Sequence, residues 1–126
     1  MNGYMVSVPD RAGVAAGLFE AAAARGVNIF PAFGLADGTT GLILVGSDDE
    51  AGLRAALDDA GLSATPLEMV VTELENHPGT GAALMRRLAD AGISLRAAVP
   101  IGMSGDRVQL ALAAEDAGAL KAAIGG

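Results

Sequence analysis

Hydrophobic and polar positions follow one another in the same order twice along this chain. Each copy has a short stretch of strand length, a stretch with apolar residues three and four apart, two more strand-length stretches separated by a turn, and a second helical stretch. Alternation at every second residue is typical of a strand with one buried face, and spacing of three to four is typical of an amphipathic helix. The pattern therefore predicts strand–helix–strand–strand–helix, written twice.

A common spacing of 66 residues supports an internal duplication. Gly79 follows Gly13 by 66 positions, and Gly92 follows Gly26 by the same number. The same spacing joins Leu18 to Leu84, Val27 to Ile93, Asn28 to Ser94, Leu42 to Val108 and Leu44 to Leu110, and a spacing of 67 joins Leu53 to Leu120 and Leu57 to Ile124. The change to 67 indicates one inserted residue before the last helix. A shared offset across so many elements predicts two units, residues 1–66 and 67–126.

Three strands are predicted in each copy. They are Tyr4–Val8, Val27–Phe33 and Thr40–Val45 in the first copy, and Met69–Leu74, Ile93–Ile101 and Arg107–Ala113 in the second. In the last of these, Val108, Leu110 and Leu112 alternate with Arg107, Gln109 and Ala111, which predicts one buried face. Pro31 and Pro100 cannot donate to a strand ladder, so the second strand of each copy is expected at a sheet edge or a bulge.

Polar and glycine residues mark the ends of the predicted helices. Asp10 and Asn76 are suited to cap the first helix of each copy, and Pro78 is suited to its first helical position. Gly26 and Gly92 are expected to end these helices in a left-handed backbone conformation. The second helices are predicted to follow the capping box Ser47–Glu50 and end at Ala60, and to span Glu115–Ile124.

These elements predict an α+β protein of two tandem ferredoxin-like βαββαβ units, each an antiparallel sheet with its helices on one face. The segment SATPLEMVVTEL supplies a fourth strand for the first unit and leads directly into the first strand of the second. The second unit has no clear last strand, because the sequence ends directly after its last helix.

Composition excludes several classes of function. The net charge of −7 disfavours nucleic acid as a partner, and no cysteine is present for disulfides or thiolate metal sites. No apolar stretch approaches the roughly 20 residues that span a bilayer, and no signal peptide is evident, so a cytoplasmic protein without a membrane partner is expected. The polar residues form no catalytic set, phosphate loop or metal cluster, so we expect neither an enzyme nor a cofactor.

The two helix-start motifs and the two helix-end motifs resemble those of the ACT domains. The motifs are Pro9-Asp10-Arg11-Ala12-Gly13 with Gly26-Val27-Asn28-Ile29, and Glu75-Asn76-His77-Pro78-Gly79 with Gly92-Ile93-Ser94-Leu95. The resemblance covers nearly the whole chain. In its arrangement the chain is similar to the small tandem ACT proteins without a catalytic domain. It implies a regulatory module that binds an amino acid or another small effector, forms a homodimer or higher oligomer, and acts on a regulated enzyme.

The resemblance also implies where the effector binds, since ACT ligands contact the turn after strand one of one unit and the start of strand two of its neighbour. The implied contacts are Asp10, Arg11 and Gly13 or Asn76, His77 and Gly79 for the turns, and Asn28 and Ile29 or Ser94 and Leu95 for the strand starts. We favour a site between the Asn76 turn and Asn28, because Asp10 at the mirror site repels a ligand carboxylate.

Each of these residues also has a purely structural interpretation. Asp10 and Asn76 can be helix caps, the glycines can serve close packing, and His77 can be a solvated turn residue. The alternative function is a protein–protein interaction or oligomerisation module without a ligand, based on the exposed edges of the second strands.

Overall fold

A computed structural model describes residues 2–9 and 12–125 of the chain. The chain divides into two compact units, an N-terminal unit of Asn2–Leu67 and a C-terminal unit that begins at Glu68. The elements of the N-terminal unit are β1 (Asn2–Pro9), α1 (Val14–Ala24), β2 (Ala32–Ala36), β3 (Thr40–Gly46), α2 (Glu50–Asp59) and β4 (Ala64–Glu68). Those of the C-terminal unit are β5 (Val70–Glu75), α3 (Thr80–Asp90), β6 (Leu95–Ser104), β7 (Arg107–Ala114) and α4 (Ala117–Gly125).

The sheets have the strand order of the predicted fold. The N-terminal sheet has the order β2-β3-β1-β4, and the C-terminal sheet has the order β5-β7-β6. Strands β2 and β6 lie at sheet edges, as Pro31 and Pro100 predict, and the β6–β7 register shifts between Pro100 and Gly102. Over the described residues the C-terminal sheet has three strands, one fewer than the N-terminal sheet.

Each unit has its own apolar core between its sheet and its helices. In the N-terminal unit the core is built around Val6, Leu18 and Leu53, each 0% exposed. In the C-terminal unit Leu84, Leu88, Leu112 and Leu120 form the equivalent cluster. At roughly 1.5–3 kcal/mol for each fully buried aliphatic side chain, these clusters are the main favourable contribution to folding of each unit.

The helix ends confirm the predicted glycine conformations. Gly26 and Gly92 have φ angles of 68° and 74°. In both units the residue after the glycine donates its N–H to a carbonyl five residues back, Val27 to Ala22 and Ile93 to Leu88. Because Val27 closes α1 in this way, it does not begin a strand. Strand β2 therefore begins at Ala32, five residues later than predicted, while β6 begins at Leu95.

The predicted helix starts are wrong by two or three residues. The cap of α3 is Gly79, not Asn76, and Pro78 precedes that cap instead of opening the helix. The cap of α1 is Gly13, whereas Asp10 and Arg11 lie outside the described residues. Helix α2 is capped by Asp49, whose carboxylate accepts from the Gly52 N–H at 2.9 Å, and not by Ser47. Asp116 accepts from Ala119 in the same way, so α4 begins two residues later than predicted.

Strand pairing also corrects the predicted position of the inserted residue. Val8 pairs with Gly41 in the N-terminal sheet, and its counterpart Leu74 pairs with Val108. The counterpart of Val108 is therefore Gly41, at a spacing of 67, and not Leu42 at 66. Leu44 and Leu110 are likewise mismatched, so the insertion lies before β7 and not before the last helix.

The prediction of one buried face on β7 is wrong at its C-terminal half. Leu112 is 0% exposed on the helix face, but Ala111 and Ala113, on the opposite face, are also 0% exposed. An alternating pattern identifies which residues share a face, but small residues such as alanine do not indicate whether that face is covered.

Candidate functional site

The first candidate site is the turn between β1 and α1 of the N-terminal unit. Gly13 has a φ angle of 94°, in the left-handed region that favours glycine, and its carbonyl accepts the Gly17 N–H at 2.9 Å. No side chain of the described residues caps α1. The first amides of a helix have no partner within the helix and carry its positive dipole end, so they favour an anionic group such as a carboxylate.

Two shallow clefts flank this turn. One, of about 280 Å³, lies against the loop after α2 and is lined by Gly13, Gly17, Ala60 and Leu62 among others. The other, of about 240 Å³, lies against the β2–β3 hairpin, and we name it the hairpin cleft. Both clefts are lined by Val8, Pro9 and Val14. The turn thus combines backbone amides with two adjoining apolar surfaces.

The equivalent turn of the C-terminal unit is fixed by hydrogen bonds. Gly79 has a φ angle of 98°, and the Thr80 hydroxyl donates to the Glu75 carbonyl at 2.7 Å. The Asn76 N–H donates to the Asp106 carbonyl, while the Asn76 side chain is exposed and makes no hydrogen bond with the described residues. Its amide is therefore free to contact a ligand, although it does not cap the helix.

His77 in this turn is placed to carry a positive charge. Its Nε2 lies 2.8 Å from Glu75 Oε2, and its Nδ1 lies 3.1 Å from the Pro78 carbonyl oxygen. Both partners are acceptors, and only the protonated ring can donate from both nitrogens. The hydrogen bond to Glu75, and then the one to Pro78, raise the pKa of His77 above its ordinary value.

Charged side chains on β5 and β7 lie beside His77. Arg107 Nε lies 2.6 Å from Glu73 Oε1, and Arg107 Nη1 lies 3.7 Å from Glu75 Oε1. These side chains are about half exposed, so the ion pairs contribute little to stability.

The predicted strand-start residues lie in the segments that follow the first helices. Asn28 is exposed, and its carbonyl accepts from the Ser47 hydroxyl at 2.7 Å. Ser94 is exposed as well. Ile29 and Leu95 are half-buried and pack against the cores of their own units, so their side chains serve packing.

Within one unit, the turn and the strand start do not come together. They lie at opposite ends of an eleven-residue helix, which spans roughly 16 Å at 1.5 Å per residue. A small ligand therefore cannot contact both within a single unit. The predicted pairing of the Asn76 turn with Asn28 joins residues of different units and stays a prediction.

A third cleft, of about 400 Å³, lies beside Ser94. It is lined by Gly92, Ile93, Ser94, Glu115, Asp116 and Ala119, among others. The corresponding region of the N-terminal unit is closely packed, because Ser47 bonds to Asn28 and an added Cβ at Gly52 would lie 2.6 Å from Val27 Cγ2. Ala114, the counterpart of Ser47, carries no hydroxyl for such a bond.

The residues that line the hairpin cleft, chiefly Gly34, Ala36 and Gly41, were not predicted from the sequence. The sequence does carry a signal for the cleft: these small residues occupy positions on the helix face of the strands, where bulky apolar residues are expected. It was obscured by the one-residue error in the alignment of the two copies, which matched Leu42 instead of Gly41 with Val108.

Comparisons with known proteins support the fold. No protein-family model and no curated protein sequence matches the chain. The solved structure of protein BT0572 from Bacteroides thetaiotaomicron is similar with a TM-score of 0.78 and 14% identity, over 98% of this chain and 83% of that one. The ligand-free regulatory subunit of aspartate kinase from Thermus thermophilus has a TM-score of 0.65 and 21% identity, over 98% and 85%.

A longer protein contains the same arrangement. Aspartate kinase from Clostridium acetobutylicum matches with a TM-score of 0.65 and 13% identity, over 98% of this chain and 31% of that one. The α+β fold of two tandem ferredoxin-like units is thus confirmed, and so is the resemblance to ACT domains at the level of the fold. In the described part of the chain, no helix has the length and apolar character needed to cross a membrane.

Proposed function

We propose that this chain is an ACT-type regulatory module that binds an amino acid or a related small effector and has no catalytic activity of its own. The observation that carries the proposal is the Gly13 turn, where the first amides of α1, which no described side chain caps, adjoin two clefts lined by apolar residues. Amides of this kind suit the carboxylate of an amino acid, and the clefts suit its side chain. The similar aspartate kinase subunit is regulatory by name, which agrees with such a role.

We further propose that the module acts on a partner enzyme as part of a homodimer or higher oligomer. The implied contact residues remain Asp10, Arg11, Gly13, Asn28 and Ile29, with Asn76, His77, Gly79, Ser94 and Leu95 in the other copy of the motif. Asn28 and Asn76 have exposed amides that can donate to a carboxylate and accept from an ammonium group.

Calorimetry and thermal-shift measurements with the twenty amino acids test the proposal. At about 100 times its dissociation constant, a bound amino acid adds roughly 2.7 kcal/mol to the free energy of unfolding. We expect Asn28→Ala and Asn76→Ala to weaken binding at the predicted paired site. Asn2→Ala is the matched control, because its exposed amide bonds to Glu50 and lies in neither motif.

The proposal fails if no amino acid raises the melting temperature of the parent protein. If an amino acid binds but both asparagine variants behave like the parent, the paired site is wrong and the Gly13 turn remains the candidate.

A second candidate function is an interaction module without a ligand. One observation favours it: Phe33, Leu35 and Leu42 are 46%, 67% and 46% exposed, and all three lie on the helix-free face of β2 and β3. An apolar patch of this kind is typical of a protein contact. Under this alternative, Leu35→Lys changes the oligomeric state measured by sedimentation, and amino acids leave the stability of the protein unchanged.

A further inference from the structure

The hairpin cleft exists because three positions that face the helices carry small residues. Val8 faces the helices and pairs with Gly41, which pairs in turn with Ala36 on β2. Gly34 pairs with Ile43, which packs against the same core. Residues directly opposite in an antiparallel pair share a face, so Gly34, Ala36 and Gly41 all lie on the helix side. Their missing side-chain volume leaves the cleft of about 240 Å³ beside the start of α1.

The second copy of the repeat carries larger residues at all three positions. Val108 is the counterpart of Gly41, since Leu74 pairs with it as Val8 pairs with Gly41. Met103 pairs with Val108 and Pro100 pairs with Leu110, so they are the counterparts of Ala36 and Gly34. Glycine inside a strand is unfavourable for the strand itself. The presence of glycine at both positions 34 and 41 therefore requires an explanation specific to the N-terminal unit.

The lining of the cleft selects an apolar occupant. The described residues that line the cleft are all apolar, and the side chains of Val8, Val14 and Ile43 lie on its helix side. An aliphatic side chain in the cleft would cover this apolar surface, whereas a polar one would find no side-chain hydrogen-bond partner among the described lining residues. The volume is below the roughly 300–1,000 Å³ of pockets for drug-sized ligands, so the occupant is small. Val14 and Ala15, the first residues of α1, also line the cleft, and their amides have no partner within the helix.

We propose that the hairpin cleft holds the aliphatic side chain of the effector, so that the N-terminal unit selects a branched aliphatic amino acid such as leucine, isoleucine or valine. The carboxylate is then within reach of the first amides of α1. This inference rests on the proposed function, and it adds the chemical class of the ligand and the residues that select it.

Gly41→Val tests the inference by installing the residue that the second copy carries. Gly41 has no left-handed φ, and an added Cβ would meet Val8 Cγ2 at 3.5 Å and the Leu35 carbonyl oxygen at 3.7 Å, both ordinary contacts. The variant is therefore expected to fold while filling the cleft. Gly34→Ala is the second variant, since its Cβ would meet only the Leu42 carbonyl oxygen at 3.9 Å. Gly81→Ala in α3 is the matched control outside the cleft.

Calorimetric titration with leucine, isoleucine, valine, alanine, serine, lysine and aspartate provides the measurement. We expect the branched aliphatic amino acids to bind the parent at least about tenfold more tightly than alanine, since one methylene in an apolar pocket changes affinity by about 10–200-fold. Gly41→Val is expected to weaken leucine binding at least about tenfold, Gly34→Ala to weaken it less, and Gly81→Ala to leave it unchanged.

Two results overturn the inference while leaving the proposed function in place. One is tighter binding of serine, lysine or aspartate than of leucine. The other is leucine binding by folded Gly41→Val and Gly34→Ala proteins with the affinity of the parent. If none of the seven amino acids nor any other of the twenty binds the parent, the proposed function itself fails, and the inference fails with it.

Discussion

Single residues distinguish the β1–α1 turn of the N-terminal unit from the β5–α3 turn of the C-terminal unit. The same glycine appears at both, with φ angles of 94° and 98°, but its neighbours differ. Thr80 bonds across the C-terminal turn, whereas the matching residue in the N-terminal turn is Val14, which has no hydroxyl and lines the clefts instead. The hydroxyl bond of Thr80 therefore has no counterpart at position 14, where an apolar side chain lines the clefts.

The protonation of His77 is the clearest prediction at this scale. Because its pKa is raised in the folded state, the charged ring contributes stability in full below its ordinary value of about 6.5. That contribution is lost as the pH rises through the pKa of the folded protein. His77 is the single histidine of the chain, so NMR titration of its ring protons reports this pKa without ambiguity.

Glu75→Gln is expected to lower that pKa, because it removes the carboxylate 2.8 Å from Nε2. Glu73→Gln is the matched control, since Glu73 bonds to Arg107 and not to His77. Equal pKa values in the parent and in Glu75→Gln would contradict the geometry of the turn.

At the scale of elements, helix ends were predictable and helix starts were not. Gly26 and Gly92 identified the ends, since the chain reverses there through a left-handed residue that favours glycine. Asparagine and proline are common at helix starts in general, but here the chain makes an additional turn between Asn76 and the cap of α3 at Gly79. That turn is set by the bonds from Asn76 to Asp106 and from Thr80 to Glu75, and the first of these depends on how β5 pairs with β7.

Two glycines of the same segment give a matched test of this assignment. Gly79→Ala is expected to lower the free energy of unfolding by about 1–2 kcal/mol, because alanine is unfavourable at a φ of 98°. Gly81→Ala, inside α3 with open space around an added Cβ, is expected to raise it by about 0.5–1 kcal/mol. Urea unfolding measures both, and a stabilising Gly79→Ala would show that the turn does not have this backbone conformation.

At the scale of the whole molecule, the duplication produced two units with equivalent cores but with different numbers of strands and different clefts. Leu53 and Leu120 are equivalent, and both are 0% exposed in their separate clusters. The N-terminal sheet gains a fourth strand from β4, while over the described residues the C-terminal sheet has three. The units differ beside the β2–β3 hairpin, where the N-terminal unit has the hairpin cleft, and at the start of the second helix, where the C-terminal unit has the cleft beside Ser94.

Equivalent core truncations test whether both units depend on the predicted cores. Leu53→Ala and Leu120→Ala are each expected to lower the free energy of unfolding by about 2–5 kcal/mol, through lost apolar contacts and the cavity left behind. Met103→Ala, at a side chain 67% exposed, is the control and is expected to change it by less than about 0.5 kcal/mol. A loss below about 1 kcal/mol for either leucine would exclude it from a packed core.

The sequence by itself determined the duplication, the order of strands and helices, and the edge positions of β2 and β6. These follow from local properties that are readable in the residues: hydrophobic period, the left-handed preference of glycine and the missing amide of proline. Only the tertiary structure decided the register of β7 against β5, because a one-residue shift moves every side chain to the other face and both alignments place apolar residues there. That register identified Gly41 as the counterpart of Val108, and with it the cleft on which the proposed specificity depends.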